Sequence, residues 1–266
     1  VFRDLRGPGV AVVQAMADDG RDGIKDLRNA TGNIESLPPY RGYPDGRLVY
    51  GSDPSGALMP DPAFIGLLTS QGRQPPVVVD TSWLLVGHAD ETTRVVRART
   101  ARGWTIMVAD PRLAVSTLRA NQAHGDVRFT AGRLTATIDE VLADEQLMAD
   151  NEEAARHIDD QLSVLLRETG LREDELVRVP VLFTKPKEIG LFVAATPGIP
   201  NGLSIDAQTF AAPDPHAPVI DGEDIFQQVT ERALRGVDVR WVEDLGWAHL
   251  GGGEVHCTTN AWREVG

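Results

Sequence analysis

Val77-Val78-Val79-Asp80-Thr81-Ser82-Trp83-Leu84-Leu85-Val86-Gly87-His88-Ala89-Asp90-Glu91 places two short apolar runs around a polar turn and ends the second in a cluster of titratable groups. Short Val- and Leu-rich runs bounded by Asp and Gly are the pattern of buried strands. They predict strands over 77–80 and 83–86. Outward from there, the same pattern predicts strands over 10–13, 48–50, 105–109, 179–183, 191–195 and 237–242. Helical spacing of apolar residues predicts helices over 62–70, 111–121 and 223–234, and a long tract over 134–169 that Asp150-Asn151 could divide in two. Strands alternating with helices define an α/β protein with mixed connections. The Pro-, Gly- and Asp-rich stretch 196–218 reads as an irregular loop.

Bulk properties narrow the function. The chain has 266 residues, a hydrophobic fraction of 42% and a net charge of −13. That acidity argues against a nucleic-acid partner, because phosphate binding relies on clustered Lys and Arg. It would draw in cationic ligands, although many acidic proteins have no such task. No apolar run approaches the roughly 18 residues needed to cross a bilayer, so no membrane partner is expected. With one cysteine, Cys257, an internal disulfide is excluded, and so is a multi-cysteine zinc site.

Two stretches carry candidate chemistry. A lone cysteine is most often a small buried hydrophobe. Cys257, however, follows Gly251-Gly252-Gly253-Glu254-Val255-His256 and precedes Thr258-Thr259-Asn260, a poor setting for an apolar core. Polar neighbours of this kind stabilise a thiolate, the reactive form. A buried thiol and a nucleophile both remain open at this point. His88 and Asp90 are two apart, so on extended chain they face one side together. A proton-transfer group beside an anion that holds a cation is one reading; a solvated turn is the other. His256, next to Cys257, points away from it if that segment is extended.

Taken together, Gly87-His88-Ala89-Asp90-Glu91 and Gly253-Glu254-Val255-His256-Cys257-Thr258-Thr259-Asn260 closely resemble the protein-arginine (peptidylarginine) deiminase family. Gly32-Asn33-Ile34-Glu35-Ser36-Leu37-Pro38-Pro39 is similar to its Gly-Asn-Leu-Glu-x-x-Pro-Pro segment, and Tyr43-Pro44-Asp45-Gly46-Arg47-Leu48 to its Tyr-Pro-x-Gly-Arg-Ile segment. The resemblance implies a five-bladed α/β propeller (the pentein fold) and a single catalytic domain over 1–266. It implies that Cys257 attacks the guanidinium carbon of peptidyl-arginine. His88 then protonates departing ammonia and activates water against the thiouronium intermediate, while Asp90 pairs with the guanidinium.

The family pattern implies further parts. A second guanidinium-binding aspartate stands in a Trp-x-x-Asp-like context upstream. Asp4, Asp18, Asp19, Asp22 and Asp26 do not match it, so the expectation is a domain lacking its first module. The missing aspartate would then lie on another segment, leaving this chain inactive alone. Arg21 is the candidate for a substrate-contacting arginine, and Gly251 replaces another one. Glu35, with the backbone oxygens of Thr31 and Ile34, forms the kind of oxygen set that calcium prefers. No cofactor is needed for the chemistry itself. Export from a bacterial cell is the expected location, and an arginine-containing peptide or protein the expected partner. Three other readings share these residues: a deiminase or amidinotransferase of free arginine or a small guanidine, a cysteine hydrolase of amide bonds, and a non-catalytic binding propeller.

Overall fold

The computed structural model describes residues 27–70, 72 and 74–259. The predicted strand over 10–13 and the candidate Arg21 lie outside them. Within them one unit is built three times. In the first, β1 (Ile34–Leu37) runs antiparallel to β2 (Arg47–Ser52), α1 (Pro62–Thr69) crosses over, and β3 (Val77–Asp80) returns parallel to β2. In the second, β4 (Thr93–Arg97) is antiparallel to β5 (Trp104–Asp110), which continues into α2 (Pro111–Ala120). A ribbon of β6 (Arg128–Thr130) and β7 (Thr135–Thr137) follows, then α3 (Ile138–Ala143) and α4 (Glu145–Thr169). β8 (Val177–Pro180) then closes the sheet parallel to β5.

After the short pair β9 (Phe183–Thr184) and β10 (Val193–Ala194), the third unit begins with β11 (Leu203–Ser204) antiparallel to β12 (Thr209–Pro213). A small hairpin of β13 (Val219–Ile220) and β14 (Glu223–Asp224) leads into α5 (Ile225–Ala233), and β15 (Asp238–Val242) pairs parallel with β12. Each of the three three-stranded sheets therefore has an antiparallel edge, a middle strand and a parallel strand reached through a helix. Among the described residues no helix is long and apolar enough to cross a membrane.

Local chemistry sets the element ends. Pro111 opens α2 at a position whose N–H would be unused, while the Asp110 carboxylate accepts from Leu113 N. α4 starts on Asp144, which accepts from Leu147 N, and stops at Gly170, whose φ of 68° suits a residue without a Cβ. The break in the long tract is thus at Asp144, not at Asp150-Asn151. Those two are buried inside α4 and turn their side chains on the next segment: Asp150 accepts from Lys185 N, and Asn151 bonds both N and O of Phe183. Along α4, Ala154, Ile158, Leu162 and Leu165 line the buried face. Except for Leu165, they join Trp83, Met107, Val179, Phe183, Phe192 and Phe210 in the largest core.

The expected strand over 83–86 is not formed, apart from one parallel bridge of Leu84 to Phe192. Arg28, fully buried, donates its guanidinium to the carbonyls of Leu84, Leu85 and Val86. Those carbonyls are therefore engaged by a side chain rather than by a ladder. Gly87, at φ 73°, lies against that guanidinium, where a Cβ would collide with it. The predicted loop over 196–218 proves to contain β11 and β12, whose apolar positions are masked by intervening Pro, Gly and Asp.

Candidate active site

Three elements of distant sequence meet at one point. The turn after β3 brings His88 and Asp90, the start of β1 brings Gly32, Asn33 and Glu35, and a one-turn 3-10 segment, His256–Thr258, brings Cys257. His Nδ1 or Nε2 of His88, a carboxylate oxygen of Asp90 and Sγ of Cys257 lie within 4.8 Å of one another. The structure thus brings these three residues together, although His88 and Asp90 sit at a 3-10 turn (Ala89–Glu91) and not on a strand.

Each member is held from outside. His88 is buried, and its Nε2 lies 2.7 Å from the Leu27 carbonyl, a contact that requires an N–H there. In the neutral ring Nδ1 is then a lone pair. Among the described residues it has no hydrogen-bond partner, and it looks 3.8 Å across at Asp90 Oδ1, which has none among them either. Burial lowers the His88 pKa, with Asp90 opposing, so the ring favours its basic form. The Glu91 side chain accepts from His88 N at 2.8 Å, and burial lifts that carboxyl to about 8.

Cys257 lies on an exposed turn with its sulfur directed inward, 3.4 Å from Asn201 Oδ1 and 3.8 Å from Asp90 Oδ2. Burial, followed by the Asp90 charge, pushes the thiol up to about 12. In the ligand-free site it is a thiol, and a cation bound at Asp90 is what would favour its ionisation. Asn201 anchors the turn twice, its carbonyl accepting from His256 N and its side chain from Cys257 N.

Glycine and asparagine of the segment 32–35 serve this geometry. A Cβ on Gly32 would come within 2.7 Å of His88 Nδ1 and 3.4 Å of Asp90 Oδ2. Asn33, fully buried, bonds N and O of Gly51, the carbonyl of Arg28 and the amide of Ala89, tying the first sheet to the His88 turn. In the segment 43–48, Arg47 lies buried over the Tyr43 ring and bonds Pro75 O, Pro76 O and Glu168. It joins the first sheet to the end of α4, which is a structural task.

Three residues were not found from sequence. His256 does not point away: the 3-10 turn lets neighbours face inward together, and its Nδ1 is 2.7 Å from Asp90 Oδ2. Arg94, on β4, donates to Glu35 Oε1, and both are buried. Asn201 had no signal beyond its place in a predicted loop.

The oxygen set proposed for calcium does not fit that ion as it stands. Glu35 already faces the Arg94 guanidinium, and the Thr31 carbonyl accepts from Ile34 N. Among the described residues no group of three acidic, histidine or cysteine ligand atoms gathers at Glu35. Calcium usually takes six to eight oxygens, commonly with more than one carboxylate.

The site brings together a buried imidazole, a buried carboxylate and a sulfur. The protein-arginine deiminase (PAD) family model matches residues 1–265. Protein-arginine deiminase type-4 of Homo sapiens is 32% identical over 99% of this chain and 41% of its own length. The Mus musculus type-4 protein is 31% identical over 89% of this chain and 38% of its own. The chain belongs to the protein-arginine deiminase family, and it spans about two fifths of the length of those relatives. Among solved structures, an agmatine deiminase of C. jejuni with substrate bound matches at a TM-score of 0.45 and 13% identity, covering 85% of this chain and 54% of that one.

Proposed function

We propose that this chain carries the catalytic centre that converts peptidyl-arginine to citrulline and ammonia. The observation that carries the reading is the convergence of Cys257, His88 and Asp90 in a chain of this family. Asp90 binds the guanidinium, a planar cation that a carboxylate matches. That positive charge beside the sulfur offsets the two influences that raise the thiol, burial and Asp90 itself. Cys257 passes its thiol proton to His88 Nδ1 as its sulfur attacks the guanidinium carbon, and His88 gives that proton to the departing ammonia. His88 then takes a proton from water as it attacks the thiouronium, and the C–S bond breaks to release citrulline and Cys257. His88 Nδ1, which faces Asp90 and has no other partner among the described residues, is the nitrogen suited to move those protons.

The repeated three-strand units support residues 1–266 as one catalytic domain and as part of a five-bladed propeller. A second carboxylate for the guanidinium belongs, on this reading, to a segment outside the described residues. The decisive experiment measures citrulline from a blocked arginine amide and from free arginine, with a Cys257→Ala control. Turnover of the blocked amide that vanishes in the variant is the expected result. Turnover of free arginine alone would move the enzyme to small guanidines, and none with the longest available chain would leave a binding propeller. Turnover by residues 1–266 alone would sink the separate-carboxylate part.

A further inference from the structure

Glu35 and Arg94 form a buried pair that the chemistry above does not use. Glu35 stands on β1 of the first sheet and Arg94 on β4 of the second, and each is less than one-tenth exposed. Arg94 Nη1 donates to Glu35 Oε1. The same oxygen lies 3.9 Å from His256 Nδ1, which in turn is 2.7 Å from Asp90 Oδ2. A sequence of cation, carboxylate, imidazole and carboxylate thus leads from Arg94 to the reacting centre. Glu35, Arg94, His256 and Cys257 all border one groove of about 820 Å³, so small ions can reach the pair from solvent.

A divalent cation at Glu35 would face the fixed positive charge of Arg94 on the same oxygen, with few other ligands to offset its lost water. The guanidinium already does what such an ion would do: it neutralises a buried carboxylate and joins two sheets beside the site. We propose that Arg94 is a built-in substitute for the cation, a positioning residue that holds Glu35, and through it His256 and Asp90, without calcium at that point. The proposal deepens the deiminase reading in naming what organises Asp90, but its binding test does not depend on that reading.

The test titrates calcium into the full chain and follows both heat and melting temperature, in chelator and in millimolar calcium. It compares wild type, Arg94→Ser, Arg94→Lys, Glu35→Gln and the Arg94→Ser/Glu35→Gln double variant. Wild type and Arg94→Lys are expected to show no calcium response that Glu35→Gln removes. Arg94→Ser, which offers a hydroxyl oxygen in place of a cation, is expected to melt roughly 5–10 °C lower. It should regain most of that loss with calcium, and the double variant should not. A wild-type calcium response abolished by Glu35→Gln would overturn the proposal. So would an Arg94→Ser protein that melts as wild type, or one whose loss calcium does not restore. If Arg94→Ser fails to fold, the wild-type and Glu35→Gln titrations still decide. Citrulline release run alongside separates the two claims: absent turnover in every protein would fail the deiminase reading and leave the calcium result standing.

Discussion

Two buried acidic clusters lie on either side of the Cys257 turn, and the chain neutralises them differently. On one side Glu35 meets Arg94, and Asp90 meets His256. On the other, Asp244 and Glu254 are buried close to each other with His249. Glu254 accepts from Gly198 N, its Oε1 lies 2.7 Å from His249 Nδ1, and its carboxyl faces that of Asp244 closely enough to share a hydrogen bond. Burial, then Glu254, raises Asp244 to about 8; burial raises Glu254 to about 7 and lowers His249 to about 4. Burial raises Glu35 as well, to about 7, so what sets the first cluster apart is the Arg94 guanidinium bonded to it, where the second has two carboxyls facing each other. The first cluster borders His88 and the Cys257 sulfur, while the second packs under the turn that carries Cys257.

Changes at the first cluster should therefore be read in catalysis and ion binding, and changes at the second in the pH dependence of stability. The largest effect is expected for His88→Gln, with citrulline formation lower by about 10²–10⁴-fold while the melting temperature hardly moves. An equal loss of both would make His88 structural and erase the contrast. Next, Arg94→Leu strands a buried carboxylate and is expected to cost about 3–5 kcal/mol in denaturant unfolding. A cost below about 1 kcal/mol would place that pair with surface contacts.

Asp244→Asn sharpens the other half. A carboxyl raised in the folded state binds a proton that the unfolded chain has lost, so stability falls as pH rises from the ordinary carboxyl value near 4 towards about 8. Removing that site should flatten the decline by up to about 1.4 kcal/mol per pH unit, seen in melts taken across that window. An unchanged slope would mean Asp244 is ionised at neutral pH, and the two clusters would no longer differ. The smallest effect is expected from Arg112→Ala on the surface of α2. Its pairs with Glu152 and Asp159 are exposed, and less than about 1 kcal/mol should be lost.

Legibility in the sequence follows the same divide. Cys257, His88 and Asp90 could be found because short motifs hold them, and α4 because its apolar spacing is long and regular. The third sheet was hidden because β11 has only two residues and β12 is Thr-Phe-Ala-Ala-Pro, too short and too weakly apolar to stand out. The 83–86 segment misled for a different reason: its Trp-Leu-Leu-Val composition suits a strand, but Arg28, 56 residues upstream of Leu84, takes the carbonyls. Arg94 and Glu35 are separated by 59 residues, and no local pattern announces that they touch. Local propensity carried the elements, while the electrostatic roles were set by pairs that only tertiary packing creates.

The distance along the chain between Asp90 and Cys257 also fixes when the site can exist. They are 167 residues apart. At about 5–20 residues per second of synthesis, a ribosome that has made Asp90 needs roughly 8–33 seconds more to reach the sulfur. During that interval Arg28, Arg47 and Arg94 have time to be packed away. These three arginines can thus be buried before Cys257 is made, an ordering in time rather than in space.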